Sequence, residues 1–278
     1  MLRLNSLYAA VALVVSAAPA GAEDVPPDMA LMGTVPIYWG EAAGFDELLS
    51  GDAPAHWARD VLEEGFALAP LDYLSAEALE GHRYLLMAQP RGLTAEENVA
   101  LDAWVRAGGS LLLFADPRMT GESRFHIGDR RRPQDVALLS PILAHWGLEL
   151  VFDPAQPQGA HTVDHFGNGL PVNLRGELRP KGESPYCDTS ADGLLASCVI
   201  GAGQAMIVAD AALLDIADRS DAGEHAFRLL VSQVFGKFGD SAGNVVPEGA
   251  GTPRSRLNSG DMLESEHDKS RYGGGNAH

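Results

Sequence analysis

The stretch Tyr84–Pro117, YLLMAQPRGLTAEENVALDAWVRAGGSLLLFADP, reads as one strand, helix, strand unit of a parallel sheet. Tyr84–Ala88 is an apolar run of strand length, and Gln89-Pro90-Arg91-Gly92 breaks it with turn residues. A helix entry follows: Thr94 can accept from the free backbone N–H groups while Glu97 reaches back, the reciprocal capping box. Leu101, Trp104 and Val105 share one helical face, and Gly108-Gly109 supplies a left-handed residue to end the helix. A second continuous apolar run, Leu111–Ala115, comes at once. Strands that are apolar on both faces require helices on both sides of the sheet. Asp116-Pro117 then falls where the second strand leaves the sheet, on the carboxyl edge where open α/β folds bind ligands.

Upstream, Met29–Trp39 reads as a first strand leading into a loop, Ala53–Glu64 as an amphipathic helix burying Trp57, Val61 and Leu62, Phe66–Leu71 as a strand, and Ser75–Leu79 as a short helix. This alternation predicts right-handed crossovers and a parallel sheet. Downstream, the pattern lapses over Arg118–Arg132 and resumes with a helix over Pro133–His145, whose Val136, Leu139, Ile142 and Leu143 share a face, and a strand over Leu148–Phe152. Asp153–Ser197 is rich in Pro, Gly and polar residues, with strand candidates at His161–His165, Val172–Leu174 and Glu177-Leu178. It reads as an antiparallel insertion, residues 153–197. Leu194–Ile200 and Ala205–Ala209 are strands joined by a Gly-rich turn. A helical piece over Ala212–Asp215 and a final helix over Ala222–Phe235, packing Phe227, Leu230, Val231 and Val234, complete the fold. From Gly239 to His278 the chain lacks periodic apolar residues and is expected to be disordered.

Three motifs carry a family resemblance: the helix entry Pro90-x-Gly92-Leu93-Thr94-x-Glu96-Glu97, the helix exit Leu101-Asp102-x-Trp104-Val105-Arg106-x-Gly108-Gly109, and the strand Leu111–Phe114 with Ala115-Asp116-Pro117. The segment resembles the extracytoplasmic domain of gliding-type ABC-transporter auxiliary proteins and their relatives of unknown function. A second, smaller match runs from Gly201-Ala202-Gly203-Gln204 through Ala205–Ala209 to Asp210 and Leu213-Leu214. The resemblance implies a flavodoxin-like, class I glutamine amidotransferase-like sheet flanked by helices, without the enzyme's nucleophile. It further implies a non-catalytic binding domain without cofactor, accessory to an ABC-type transport system, whose partner is a transporter membrane component or a small anionic or carbohydrate ligand.

The amino terminus points to export. Arg3 precedes an apolar core around Leu7–Val15, too short for the ~20 residues of a span, and Ala20-Gly21-Ala22 is a small-residue cleavage site. The expectation is a signal peptide over residues 1–22, one domain over 23–238, and a periplasmic location. No later segment is long and apolar enough to span a bilayer, a departure from the membrane-anchored gliding-type proteins. With 38 acidic against 20 basic residues the formal charge is −18, which repels phosphate backbones and argues against nucleic-acid binding. Cys187 and Cys198 are an even pair whose spacing fits neither a redox CxxC nor a zinc knuckle, and a disulfide between them is expected after export.

Candidate site residues collect after the predicted strand ends. Asp116 and Asp210 each terminate a strand and face a common crevice; they either bind a sugar hydroxyl or a cation, or cap the segments that follow. As a pair of carboxylates they also support an alternative reading, an envelope glycan or ester hydrolase. The loop Ser123–Asp135, SRFHIGDRRRPQD, adds His126, Arg130, Arg131 and Arg132 to the nearby Arg118. Guanidinium forks bind carboxylates and phosphates, so this loop either clamps an anionic ligand or acidic partner segment, or pairs locally with Asp129 and Asp135. His161 and His165 flank Asp164, but in a strand their rings stand about 13 Å apart, so no metal is expected there. No thiol stands at the strand end Phe114-Ala115-Asp116-Pro117, and the sequence holds no GxSxG elbow, Walker A loop or complete GxGxxG.

Overall fold

The computed structural model describes residues 25–42, 44–50, 55–182, 186–214 and 219–236, all within one compact unit. The expected leader, the tail from Gly239 and the first residues of the helix expected at Ala53 lie outside the described residues. Elements follow in the order β1 (Asp28–Gly33), α1 (Phe45–Ser50), α2 (Trp57–Glu63), β2 (Ala67–Pro70), α3 (Ala76–Leu79), β3 (Tyr84–Ala88), α4 (Ala95–Arg106) and β4 (Ser110–Phe114). Then come α5 (Ser140–His145), β5 (Leu148–Phe152), β6 (His161–His165), β7 (Asn168–Val172), β8 (Gly176–Pro180), β9 (Cys187–Ser190), β10 (Leu195–Ile200), β11 (Gly203–Val208), a 3-10 turn over Ala212–Leu214 and α6 (Asp221–Phe235). No helix among the described residues is long and apolar enough to cross a membrane.

The main sheet has seven strands in the order β2-β1-β3-β4-β11-β10-β9. Its pairings from β2 to β11 are parallel and the last two antiparallel. Taken in chain order, the parallel strands lie 2-1-3-4-5, the flavodoxin-like arrangement. The fold is therefore mixed α/β, with a mostly parallel central sheet flanked by helices.

Strand alternation explains why β3 and β4 carry no polar face. Leu86, Ala88, Leu112 and Phe114 point into a core shared with α2 and α6, while Leu85, Met87, Leu111 and Leu113 point into a core shared with α3, α4 and α5. Each buried Leu or Phe contributes roughly 1.5–3 kcal/mol, so this central pair anchors both layers. The capping box on α4 forms as expected: Thr94 Oγ1 accepts the Glu97 N–H at 3.2 Å, and Glu97 accepts the Thr94 N–H at 2.9 Å. Gly108, at φ 116°, carries the chain out of the helix.

Three expectations need correction. The helix expected over Pro133–His145 is confined to Ser140–His145, and Val136 is exposed. Residues before Ser140 bond elsewhere, with Ala137 N–H donating to Asp116 O at 2.8 Å and Met119 N–H to Asp135 O at 3.0 Å. β5 does not extend the main sheet; it pairs antiparallel with β8, while β6 and β7 form a separate hairpin. The strand expected over Val172–Leu174 is instead Asn168–Val172, which ends where the candidate begins, and Leu174 lies beyond it at φ 56°. The antiparallel insertion exists, but its last part joins the main sheet as β9, an edge strand too polar to read in advance.

Cys187 and Cys198 are directly opposed on β9 and β10 and form a disulfide. The bridge fastens the polar edge strand to the buried one. Replacing both cysteines by alanine is expected to cost about 3 kcal/mol for a closed loop of this size. Denaturant unfolding of the oxidised wild type against the double variant measures it, and an unchanged midpoint would show that edge pairing alone holds β9.

Candidate functional site

Parallel register brings the two strand-end aspartates together. Phe114 lies opposite Val208, so Asp116 and Asp210, each two residues further on, leave neighbouring strands side by side. Both are buried. Asp116 Oδ1 accepts the Arg118 N–H at 2.7 Å and Oδ2 the Ala211 N–H at 3.0 Å. Asp210 Oδ1 accepts the Ala212 N–H at 2.7 Å and Oδ2 the Asn173 N–H at 3.0 Å. Burial raises Asp116 to about 6 despite its two amide donors. Burial also pushes Asp210 well above the usual carboxylate range, and the charge of Asp116 adds to it. The pair thus resists double ionisation and is closed to solvent.

The topological switch point lies between β1 and β3, where an open sheet of this order leaves its crevice. Here Gln89 fills it. The residue is buried and left-handed at φ 47°, directly after the end of β3. Its amide Nε2 donates to Asp116 O and to Gln134 O, both at 2.9 Å, and its Oε1 accepts the Asp116 N–H at 2.8 Å. Thr34 Oγ1 donates to Gln89 O at 2.5 Å and accepts the Gln134 N–H at 2.8 Å. The long loop after β4 is thereby laced across the switch point. Full pairing of these groups offsets the desolvation that an unpaired buried amide would suffer.

The arginine loop above this lattice does not form one clamp. Arg131 pairs with Asp129 through Nη2 at 2.8 Å and Nε at 3.1 Å, and its guanidinium lies 4.1 Å from the Phe125 ring centre. Those bonds hold Asp129 well below the usual carboxylate range. Arg132 bonds Asp135 at 3.3 Å and Phe125 O at 3.1 Å. Arg124 ties the loop to the segment after β1, donating to Glu41 O at 2.8 Å from its side chain and to Glu41 Oε2 at 2.9 Å from its backbone. Arg118, His126 and Arg130 are exposed, and the Arg118 and Arg130 side chains have no hydrogen-bond or ion-pair partner among the described residues. On the strand β6, His161 faces Gly159 O and His165 faces Gln233 Oε1, each at 3.3 Å. No group of three or more His, Cys, Asp or Glu able to hold a metal ion is present among the described residues.

Two buried polar centres escape a sequence reading. Glu97 is more than a cap partner: its fully buried carboxylate also accepts from Arg91 Nη1 and Nη2, each at 2.8 Å, and from the Leu74 N–H at 3.2 Å. Burial opposes its ionisation, but the Arg91 bonds and the Thr94 and Leu74 amides outweigh that and hold it at about 2. His56 caps α2 by accepting the Ala58 N–H at Nδ1, 3.1 Å away, so Nε2 carries the proton and donates to Leu214 O at 3.1 Å. Burial lowers its pKa to about 4, against the opposing pull of the Leu214 carbonyl and Asp60. The Thr-x-x-Glu spacing announces the cap; no local signal announces partners distant in the chain.

No protein-family model matches this sequence, and no curated protein does. Solved structures resemble its shape. The exo-β-1,4-mannosidase Op5Man5 from Opitutaceae bacterium strain TAV5 aligns over 76% of this chain and 36% of its own, at 14% identity and a TM-score of 0.45. The mmIFT52 N-terminal domain aligns over 74% of this chain and 96% of its own, at 14% identity and 0.47. A ThuA-like protein from Bacteroides uniformis ATCC 8492 aligns over 79% and 98%, at 12% identity and 0.38. The chain spans little more than a third of the mannosidase's length. Likenesses of this strength carry no argument about chemistry. Topology and site define an open, flavodoxin-like α/β domain whose carboxyl edge is closed by polar side chains bonded to backbone.

Proposed function

We propose that this chain is an exported, non-catalytic binding domain on an amidotransferase-like scaffold, accessory to an ABC-type transport system, that takes an anionic ligand or acidic partner segment on its carboxyl edge. One contrast carries the reading. At that edge the buried acids and amides are spent on backbone, whereas Arg118 and Arg130 stand exposed and unpaired among the described residues of a chain charged −18. The transport role rests on the sequence resemblance around α4 and β4. An envelope glycan or ester hydrolase would need Asp116 and Asp210 to reach a substrate, and their burial weighs against it.

A Glu-rich peptide titrated into the full chain tests the anionic preference. Replacing Arg118 and Arg130 by serine is expected to weaken binding by ~10-fold or more while changing stability by less than ~0.5 kcal/mol. The Arg131→Ser variant, which loses the Asp129 pairing and the contact with the Phe125 ring, should bind as the wild type does. Equal affinity in the Arg118/Arg130 variant would overturn the reading. Co-purification with an ATPase and permease pair from source membranes tests the transport role separately.

A further inference from the structure

We propose that the groove between α3 and α4 docks a basic, amphipathic helix of a partner protein. The groove has a volume of about 420 Å³; Leu79, Ala100 and Ala103 line it, Trp104 walls it, and Glu77 and Glu80 stand at its lip. It lies toward the amino edge of the sheet, since Trp104 bonds the residue run before β3 and packs against the entry to β4. It is therefore separate from the arginine-bearing edge and independent of the function proposed for that edge.

The apolar surface continues beyond the groove. Val99 is 69% exposed and sits one helical turn before the exposed Ala103, so past Glu96 the exposed positions of α4 are apolar where a solvated helix would be polar. Small residues on this side let another backbone approach closely, and a groove between helices accepts apolar side chains spaced one turn apart. The wall is already in place. The indole N–H of Trp104 donates to His82 O at 2.9 Å, and its ring lies so close to Gly109 that a Cβ there would come within 2.5 Å of it. A ring fixed in this way loses little rotamer freedom when a partner arrives.

Charge selects the occupant. Glu77 and Glu80 at the lip and the exposed Glu96 at the start of α4 have no ion-pair partner among the described residues. A second copy of this chain is disfavoured, because a two-fold contact would set acidic lip against acidic lip. An anionic lipid surface is repelled for the same reason. A helix carrying Lys or Arg beside an apolar seam satisfies both the groove and its lip.

The test titrates the full chain with two synthetic helical peptides sharing one Leu/Ala seam, flanked by Lys in the first and by Glu in the second. The Lys peptide is expected to bind at least ~10-fold tighter, and Ala103→Trp, which fills the groove from an exposed position, to weaken it by ~10-fold or more. Glu77→Lys combined with Glu80→Lys should reverse the preference. Val99→Lys, on the exposed strip, removes apolar contact and repels the Lys peptide, and repeats the test should Ala103→Trp fail to fold. Undiminished Lys-peptide binding by the filled variant, or no preference between peptides, would overturn the proposal. So would a photo-crosslink from position 103 to residues 239–278 of the free chain, or a dimer abolished by Ala103→Trp, since each names a different occupant.

Discussion

His56→Asn and Asp116→Ala are expected to tilt the pH dependence of stability in opposite directions. The folded pKa of His56 is lowered to about 4 from 6.5, so the unfolded chain takes up the proton first. Stability from neutral His56 is present above pH 6.5 and is lost as pH falls toward 4, by about 3 kcal/mol. Asp116 behaves oppositely. Its folded pKa is raised from 3.8 to about 6, so its contribution is present below 3.8 and is lost as pH rises through 6. Asp210 shifts in the same direction as Asp116. The Asn variant keeps an acceptor for the Ala58 N–H and removes the titration, so relative to wild type it gains stability as pH falls from 6.5 to 4. The Ala variant loses stability relative to wild type over the same range. Urea unfolding at several pH values measures both, and two variants with pH profiles parallel to the wild type would refute the assignment.

These groups share one physical task. Asp116 accepts the Ala211 N–H, Asp210 the Ala212 N–H, and His56 donates to Leu214 O, so the turn after β11 is held at both ends by buried titratable groups. The chain returns through this turn to α6, which covers one face of the sheet.

The other large effect is expected at Glu97. Truncation to alanine strands the Leu74 and Thr94 amides and leaves the Arg91 guanidinium without its acid, at a cost of about 3 kcal/mol. For a domain of this size that lowers the melting temperature by roughly 6–12 °C. Arg91→Ala leaves a fully buried carboxylate short of its charged donor, and the double variant should lose less than the sum of the two. Glu97 is held at about 2, so its contribution is present above the unfolded carboxylate range and fades as pH falls through that value. A calorimetric loss under about 1 kcal/mol for Glu97→Ala would show that water enters and replaces the lost bonds.

The legibility of the fold follows from how local its signals are. Tyr84–Ala88 is a strand with the expected bounds, and the Thr94–Glu97 cap forms, because turn residues, capping spacing and continuous apolar runs act within a few residues. The helix over Pro133–His145 fails for the opposite reason: a helical apolar period is present, but tertiary hydrogen bonds to Asp116 and Met119 claim its first half. Cys187–Ser190 hides as a strand because an edge needs little apolar content once a neighbour supplies the hydrogen bonds.

By itself the sequence determined the alternation of strands and helices, the parallel core around β3 and β4, and the strand-end placement of Asp116 and Asp210, all consequences of period, caps and turns. The tertiary structure decided the strand order, the closure of the switch point by Gln89, and the fate of each arginine. It also gave Glu97 and His56 their second partners and set α3 beside α4 to form the groove. Hydrogen bonds and charges act between groups that folding brings together from distant points in the chain, and no local pattern records which of them will meet.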